Sequence, residues 1–136
     1  METNKTILLV EDDMVDVMTV KRAFKELKIL NPLEVAGNGV EALSFLQKQN
    51  ISMPGIILLD LNMPKMNGIE LLKIIKMDEN TKRIPVVVLT TSKEEQDKIE
   101  SYNLGVAGYM IKPVDYVQFV EVIKTIDLYW TLSELP

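Results

Sequence analysis

The stretch Ile56–Gly68 constrains the fold most, because it joins a short apolar run to a polar turn. The run Ile56–Leu59 stops at Asp60, and the turn that follows carries the dipeptide Asn67-Gly68. A short, branched apolar run that ends in turn residues is typical of a buried strand in a parallel sheet. Asp60 is then expected at the carboxyl end of a central strand, where open α/β sheets hold ligands. The alternative is a carboxylate that only caps the next turn.

Apolar runs that stop at polar or turn residues recur along the chain and predict five strands. These runs cover Thr6–Val10, Leu33–Ala36, Ile56–Leu59, Val86–Leu89 and Val106–Ile111. Residues at helical spacing, or signals of a helix start, follow the runs and predict five helices. The helices are marked by Val17, Val20, Phe24 and Leu27; by Ala42, Leu43 and Leu46; by Ile69, Leu72 and Ile75; by a capping box from Ser92 to Glu95, ending near Asn103; and by the span from about Asp115 to about Trp130. This alternation predicts an α/β fold, a doubly wound, flavodoxin-like parallel sheet of strand order 2-1-3-4-5.

That strand order predicts a cluster of three carboxylates. The first and third strands are neighbours at the point where the winding of the sheet reverses. Their carboxyl ends carry Glu11, Asp12 and Asp60. Thr90 and Lys112 follow the fourth and fifth strands, and are expected at the same edge of the sheet.

The chemistry of this edge favours a metal ion and phosphoryl transfer. Clustered carboxylates repel one another unless a cation lies between them, and Mg²⁺ prefers such oxygen ligands. A carboxylate beside the metal can attack phosphorus, while Lys112 and Thr90 offer an ammonium and a hydroxyl to the phosphoryl oxygens. Each residue also has a simpler interpretation: Glu11–Asp13 as acids at a helix start, Lys112 as a solvated charge, Thr90 as a cap.

Composition excludes several other classes of protein. The chain has 136 residues and neither His nor Cys, which removes Ser-His-Asp catalysis, typical zinc sites and disulfides. A net charge of −5 argues against nucleic-acid binding. The apolar runs are too short to span a membrane, and no signal-peptide pattern is present. We therefore expect a single cytoplasmic domain over residues 1–136.

Four motifs together resemble the receiver domains of two-component response regulators. They lie at Leu8–Asp12, Leu59–Gly68, Leu89–Ser92 and Gly108–Pro113. Within that family the chain is similar to the single-domain, phytochrome-associated response regulators, through these motifs and the closing Tyr129-Trp130. The resemblance implies a phosphoacceptor in a phosphorelay rather than an enzyme, although such a domain takes part in its own phosphorylation and dephosphorylation. It also implies a sensor histidine kinase or histidine phosphotransfer protein as donor, and a downstream protein partner.

The resemblance assigns a role to each matching position. Asp60 corresponds to the phosphorylated aspartate, Asp12 to a direct Mg²⁺ ligand, and Glu11 to a second acid that often acts through water. Asn62 matches the residue whose backbone carbonyl binds the metal, and Asp60 itself completes the set. The role of Asp13, a further acid beside the site, stays open.

Three more positions match the family, and two of them, Thr90 and Tyr109, match its switch. Thr90 corresponds to the switch hydroxyl, Tyr109 to the switch aromatic, and Lys112 to the lysine that precedes a proline.

Two alternatives compete with the interpretation of the chain as a receiver domain. A haloacid-dehalogenase-type phosphatase would need an acid where this chain has Asn62, and a phosphorylation-independent interaction module would not need Thr90 and Lys112.

The last predicted helix carries more apolar residues than one buried face requires. Phe119, Ile123, Ile126 and Trp130 form one stripe, with Val117, Val120, Val122 and Tyr129 on its flanks. We therefore expect an output surface, and a homodimer, on the face of the fourth helix, fifth strand and last helix. The alternative is that the tail Thr131–Pro136 folds back over these side chains.

Overall fold

Five parallel strands form one sheet, and their order is the one that the sequence predicts. The structure is a computed structural model that describes residues 5–48, 53–61, 63, 66–90, 103–111, 116–121 and 124. The strands are β1 (Ile7–Val10), β2 (Leu33–Ala36), β3 (Ile56–Asp60), β4 (Val86–Thr90) and β5 (Gly108–Ile111). They lie in the order β2-β1-β3-β4-β5, and every neighbouring pair is parallel. The predicted receiver-type fold is therefore confirmed.

Within the described residues, three complete helices and part of the predicted last helix flank the sheet. They are α1 (Met14–Glu26), α2 (Gly39–Leu46) and α3 (Gly68–Met77). Residues 116–121 and 124 are also helical and belong to the predicted last helix. The predicted fourth helix, with its capping box, lies outside the described residues. Over the described ranges, every helix is too short or too polar to cross a membrane.

Each of the three complete helices begins at a side chain that accepts hydrogen bonds from its first turn. Asp13 caps α1, Asn38 caps α2 and Asn67 caps α3. Such caps satisfy backbone N–H groups that have no partner within the helix. All three caps follow a strand, so they fix where the chain turns away from the carboxyl edge of the sheet.

Strands β1 and β3, and residues Val86–Leu89 of β4, are buried on both faces, as expected for a parallel sheet covered by helices. Alternate residues of these strands enter two separate apolar clusters. In β3, Ile57 and Leu59 pack on the side of α2 and α3, whereas Ile56 and Leu58 pack on the side of α1 and the last helix. Phe119 of the last helix belongs to the second cluster, so this helix is anchored against the sheet.

Two strands are shorter than the sequence predicts. β5 begins at Gly108 instead of Val106, because its pairing with β4 starts where Gly108 lies opposite Val87. β1 begins at Ile7 instead of Thr6, for the same reason: the ladder with β2 starts at Ile7. An apolar run marks residues suited to a strand, but the neighbouring strand decides which of them are paired.

Candidate functional site

Three carboxylates converge at the carboxyl edge of the sheet. One carboxylate oxygen from each of Glu11, Asp12 and Asp60 lies within 4.8 Å of the other two. Glu11 and Asp60 are buried, whereas Asp12 is exposed. The cluster therefore has a buried side formed by β1 and β3, and an open side at Asp12. The sequence prediction that these three carboxylates share one crevice is confirmed.

The register of the central strands brings Glu11 and Asp60 together. Val10 lies opposite Leu59 in the parallel ladder. Glu11 follows Val10 and Asp60 follows Leu59, so the two acids are neighbours at the ends of their strands. The N–H of Glu11 donates to the carbonyl of Ala36 at 2.9 Å, which extends the contact of β1 with β2 by one residue. The backbone thus holds both acids before any ligand arrives.

The Glu11 carboxylate is also oriented by the chain that follows it. The N–H of Asp13 donates to Glu11 Oε1 at 3.0 Å. A carboxylate that accepts a backbone hydrogen bond loses rotamer freedom. One oxygen of Glu11 is therefore held in place by the N–H of Asp13.

Asp13 belongs to the helix and not to the carboxylate cluster. Its Oδ1 accepts hydrogen bonds from the N–H groups of Val15 at 2.8 Å and Asp16 at 3.4 Å. Asp13 is exposed and has the extended backbone typical of an N-cap. The open question about the third consecutive acid is therefore answered: Asp13 starts α1, and the carboxylates of Glu11 and Asp12 are the ones that meet Asp60.

The connection from β3 to α3 runs very close to the backbone of Asp60. The N–H of Leu61 donates to the carbonyl of Leu89, and the N–H of Gly68 donates to the carbonyl of Leu61, both at 3.2 Å. A β-carbon on Gly68 would lie 2.5 Å from the carbonyl oxygen of Asp60 and 2.6 Å from Leu61 Cα. Gly68 is thus required for this close approach, although the dipeptide Asn67-Gly68 indicated only a turn.

A second glycine contact ties α2 to the same loop. A β-carbon on Gly39, the first residue of α2, would lie 2.7 Å from Met66 Cβ. Met66 precedes α3, so the start of α2 is packed against the loop that follows Asp60. Sequence reasoning missed this contact, and its only signal was a glycine at the position after the cap Asn38.

The oxygen donors of this cluster fit a hard divalent cation. Carboxylates are the ligands that Mg²⁺, Mn²⁺ and Ca²⁺ favour, and the cluster contains neither nitrogen nor sulfur donors. Two of the three acids are buried together, so a cation between them would offset their mutual repulsion. Asp12 leaves one side open, which suits a metal that keeps water molecules.

Of the remaining predicted site residues, the structure describes the backbone of Thr90 and Tyr109. The backbone of Thr90 ends β4 opposite Ile111, the last residue of β5. Tyr109 lies in β5 opposite Val88 and is half-buried against the cluster on the side of α2 and α3. The predicted Lys112 and Asn62 lie outside the described residues.

Comparisons with known proteins agree with this geometry. Residues 7–124 match the family model of the response regulator receiver domain. Response regulator Rcp1 of Synechocystis sp. is 42% identical over 130 residues, which cover 93% of this chain and 88% of Rcp1. The crystal structure of the phosphorylated cyanobacterial phytochrome response regulator RcpA matches with a TM-score of 0.81 and 38% identity, over 97% of both chains. The Mn²⁺-bound form of Rcp1 matches with a TM-score of 0.79 and 41% identity, also over 97% of both chains.

These matches confirm the resemblance that the four motifs indicate, including the narrower likeness to phytochrome response regulators. The family model spans most of the chain and includes both segments that supply the clustered carboxylates. Sheet order, carboxylate cluster and relatives all point to the same conclusion. The chain belongs to the response regulator receiver domains of two-component signalling.

Proposed function

We propose that Asp60 accepts a phosphoryl group from a sensor histidine kinase or a histidine phosphotransfer protein. A carboxylate oxygen of Asp60 attacks phosphorus, a P–O bond forms, and the P–N bond of the donor's phosphohistidine breaks. The electron pair of that bond returns to the imidazole nitrogen. The single observation that carries this proposal is the buried carboxylate of Asp60, held beside Glu11 and Asp12 at the carboxyl edge of the sheet.

We assign the metal ligands to the carboxylates of Glu11, Asp12 and Asp60, with the backbone carbonyl of Asn62. A bound Mg²⁺ would neutralise the negative charge that develops on the phosphoryl oxygens. Glu11 would be a buried and oriented ligand, because one of its oxygens is held by the N–H of Asp13. Asp12 is exposed and would be the ligand on the solvent side of the site. The oxygen-only donor set and the existence of a Mn²⁺-bound form of the relative Rcp1 support a divalent cation.

Lys112 and Thr90 are proposed to bind the phosphoryl oxygens, as an ammonium and a hydroxyl, and Tyr109 to respond to that contact. The position of Thr90 at the end of β4, next to β5 with Tyr109, supports this pairing. A new charge-assisted hydrogen bond would favour one of two arrangements of Thr90 and Tyr109. The domain would thereby assist its own phosphorylation and dephosphorylation.

We further propose that residues 1–136 form one receiver domain that acts through protein contacts in the cytoplasm. The output surface would comprise the fourth helix, β5 and the last helix, and would bind a downstream protein or a second copy of the chain. Exposed Val117, next to buried Phe119 on the last helix, supports a contact surface there. The coverage of 88% of Rcp1 by the matched residues supports the single-domain organisation.

Phosphorylation by acetyl phosphate tests the function. The protein with Mg²⁺ should gain a single phosphoryl group by intact-mass spectrometry, and Asp60→Asn should gain none. Undiminished labelling of Asp60→Asn would refute the assignment. Multiple turnover of the donor, with rapid release of phosphate, would favour a phosphatase instead, and absence of labelling with normal partner binding would favour a phosphorylation-independent module.

A further inference from the structure

A groove with a basic rim lies at the carboxyl end of α1, away from the three clustered carboxylates. Its volume is about 630 Å³. It is lined by Lys21, Phe24, Lys25, Lys28, Ile29 and Leu30. Phe24 is buried and packs against Phe119, with the ring centroids 6.1 Å apart, so one side of the groove is part of the core. Leu30, in contrast, is 78% exposed.

The three lysines of this groove differ from the neighbouring arginine. Arg22 forms an ion pair with Glu26 at 3.6 Å and lies 4.6 Å above the ring of Tyr116. Over the described ranges, by contrast, Lys21, Lys25 and Lys28 form no ion pair. In the described part of the chain, the groove therefore carries three lysines without an ion pair, although the net charge of the chain is −5.

Lys21 and Lys25 lie beside the contact between α1 and Tyr116. Successive residues of an α-helix are rotated by about 100°. Lys21 and Lys25 each precede one member of the Arg22–Glu26 pair, which contacts Tyr116 of the last helix. The two lysines therefore do not take part in that contact, although Phe24 of the same groove packs against Phe119 of the last helix.

Lys28 occupies a backbone conformation that favours glycine. Its φ is 57°, in the left-handed region, directly after the C-cap Leu27. The N–H of Ile29 donates to the carbonyl of Phe24 at 2.9 Å and closes the turn, and helices that end in this way usually have glycine at this place. A lysine here is strained relative to glycine, so its charge is present at some cost in stability.

The helix dipole does not account for the whole arrangement. It favours cations in the last turn of a helix and falls off beyond that turn. Lys25 lies in the last turn of α1, but Lys21 lies outside it. The dipole also gives no reason for an exposed Leu30 beside the lysines.

We propose that this basic groove is a docking site for an acidic segment of a partner protein that carries an aliphatic side chain. The three unpaired lysines would bind carboxylates, and Leu30, Ile29 and the edge of Phe24 would contact the aliphatic group. This surface is distinct from the proposed output surface, and its use does not depend on phosphorylation of Asp60.

The spacing of the lysines defines the segment that fits. Lys21 lies six residues before the C-cap Leu27, about 9 Å along the helix axis, and Lys28 follows that cap, so the two lysines are roughly 10 Å apart. An extended peptide covers about 10 Å in three residues. A partner segment with two acidic residues three positions apart, and an aliphatic residue between them, therefore matches the groove.

Fluorescence anisotropy tests this docking site on the unphosphorylated full chain. The probe is a fluorescein-labelled peptide with two glutamates three positions apart and two leucines between them. Its control has glutamine in place of both glutamates, or alanine in place of both leucines. We expect saturable binding of the first peptide, and at least about tenfold weaker binding of either control.

Matched variants separate the groove from general charge. Lys21→Gln combined with Lys25→Gln and Lys28→Gln should weaken the peptide by at least about tenfold. The same number of substitutions at Lys48, Lys76 and Lys82 should leave its Kd nearly unchanged. Lys28→Gly removes one positive charge and also the backbone strain at this position. It should therefore weaken peptide binding but raise the melting temperature. A variant that binds weakly and unfolds at a higher temperature has lost the docking contact and not the fold.

Other occupants would give different results. Equal binding of the glutamate and glutamine peptides would overturn the proposal. So would loss of a homodimer in the triple lysine variant, which would identify a second copy of the chain as the occupant. Lysine-dependent binding to phosphatidylserine vesicles without peptide binding would assign the groove to a membrane surface. Normal labelling of the triple lysine variant by acetyl phosphate is expected, so failure here and failure of the proposed phosphoacceptor function are distinguishable.

Discussion

Asp13 accepts a hydrogen bond from the N–H of Val15 at 2.8 Å, and this contact commits its carboxylate to the start of α1. The preceding residue, Asp12, instead has an oxygen within 4.8 Å of those of Glu11 and Asp60. Two neighbouring aspartates thus have different roles, one in helix stability and the other in the proposed metal site. Their substitution should separate these roles.

We expect Asp13→Ala to lower the free energy of unfolding by about 1 kcal/mol, the usual contribution of an N-cap. Asp12→Ala should lower the affinity for Mg²⁺ by more than about tenfold, because even residues outside the ligand shell have effects of that size. Urea unfolding and isothermal titration calorimetry measure the two quantities. Asp13→Ser, which keeps a cap, should restore stability. Loss of Mg²⁺ binding in Asp13→Ala alone would contradict this assignment.

Mutual repulsion in the carboxylate cluster gives a second prediction. Asp60 is buried within 4.8 Å of two other acids, so Asp60→Asn should stabilise the metal-free protein by roughly 3 kcal/mol, which is the repulsion of one charge pair at that distance and an effective dielectric constant of about 20. Added Mg²⁺ should raise the melting temperature of the unsubstituted protein much more than that of Asp60→Asn. Thermal unfolding with Mg²⁺ or with EDTA measures both effects. Glu34→Gln, at an exposed position of β2, is the control and should change neither. A destabilised Asp60→Asn would argue against repulsion at this site.

The close approach of Gly68 to Asp60 gives a third prediction. A β-carbon at Gly68 would meet backbone atoms, which cannot rotate away, so Gly68→Ala should cost about 1–3 kcal/mol of stability. The substitution should also slow labelling by acetyl phosphate, because the backbone of Asp60 has to shift. Gly105→Ala is a matched control, since a β-carbon there would have no neighbour within 4 Å. Equal stability of the two variants would show that the backbone near Asp60 can move to accept a β-carbon at Gly68 without a measurable cost.

Tyr116 connects α1 to the last helix and gives a prediction about pH. Its hydroxyl donates a hydrogen bond to Glu26, and this bond raises the pKa of Tyr116 above its ordinary value of 10.0. Burial of the hydroxyl and the negative charge of Glu26 also raise the pKa, whereas the positive charge of Arg22 lowers it. Because the folded pKa is the higher one, this contact should stabilise the fold below pH 10 and be lost as the pH rises through the folded pKa. Ultraviolet absorbance of tyrosinate measures the titration. Tyr116→Phe identifies the contribution of Tyr116 to the titration by difference, and Glu26→Gln should shift that contribution to lower pH. An unchanged titration in Glu26→Gln would contradict the contact.

The sheet and its carboxylate edge follow from the sequence because both depend on local patterns. Asp60 ends an apolar run, and in a parallel sheet the ends of neighbouring runs meet at one edge, whatever the details of the helices. Because the register places Val10 opposite Leu59, Glu11 lies beside Asp60. The order of the strands was predicted because 2-1-3-4-5 is a common order of five-stranded doubly wound sheets.

Other features depend on tertiary contacts that no local pattern reports. Three consecutive acids do not indicate which of them turns back to cap α1, and the structure assigns this role to Asp13. Asn67-Gly68 indicates a turn, but the need for glycine comes from the distance between α3 and the backbone of Asp60. The groove at α1 depends on the left-handed conformation of Lys28, a residue that sequence preferences would not place there.

The last helix carries both a buried anchor and an exposed apolar side chain. Phe119 lies in the core against Phe24, whereas Val117 is 66% exposed. Val120, on the same predicted flank as Val117, is partly buried against the core. The remaining apolar residues that were predicted for this helix, Val122, Ile123, Ile126, Tyr129 and Trp130, lie outside the residues whose side chains are described. An exposed apolar side chain on the proposed output surface would be covered in a two-fold dimer, in which both subunits use the same patch.

We expect Val117→Glu to disrupt a homodimer without unfolding the domain. The substitution places a charge in the proposed interface but removes little buried surface from the core, so the melting temperature of the monomer should be nearly unchanged. Val15→Glu is the matched control, because Val15 is 72% exposed on α1, outside the proposed interface. Sedimentation velocity at micromolar concentration, with and without beryllofluoride as an acyl-phosphate analogue, compares the three proteins. A monomer in every state of the unsubstituted chain would rule out the dimer, and dissociation by Val15→Glu alone would move the interface to α1.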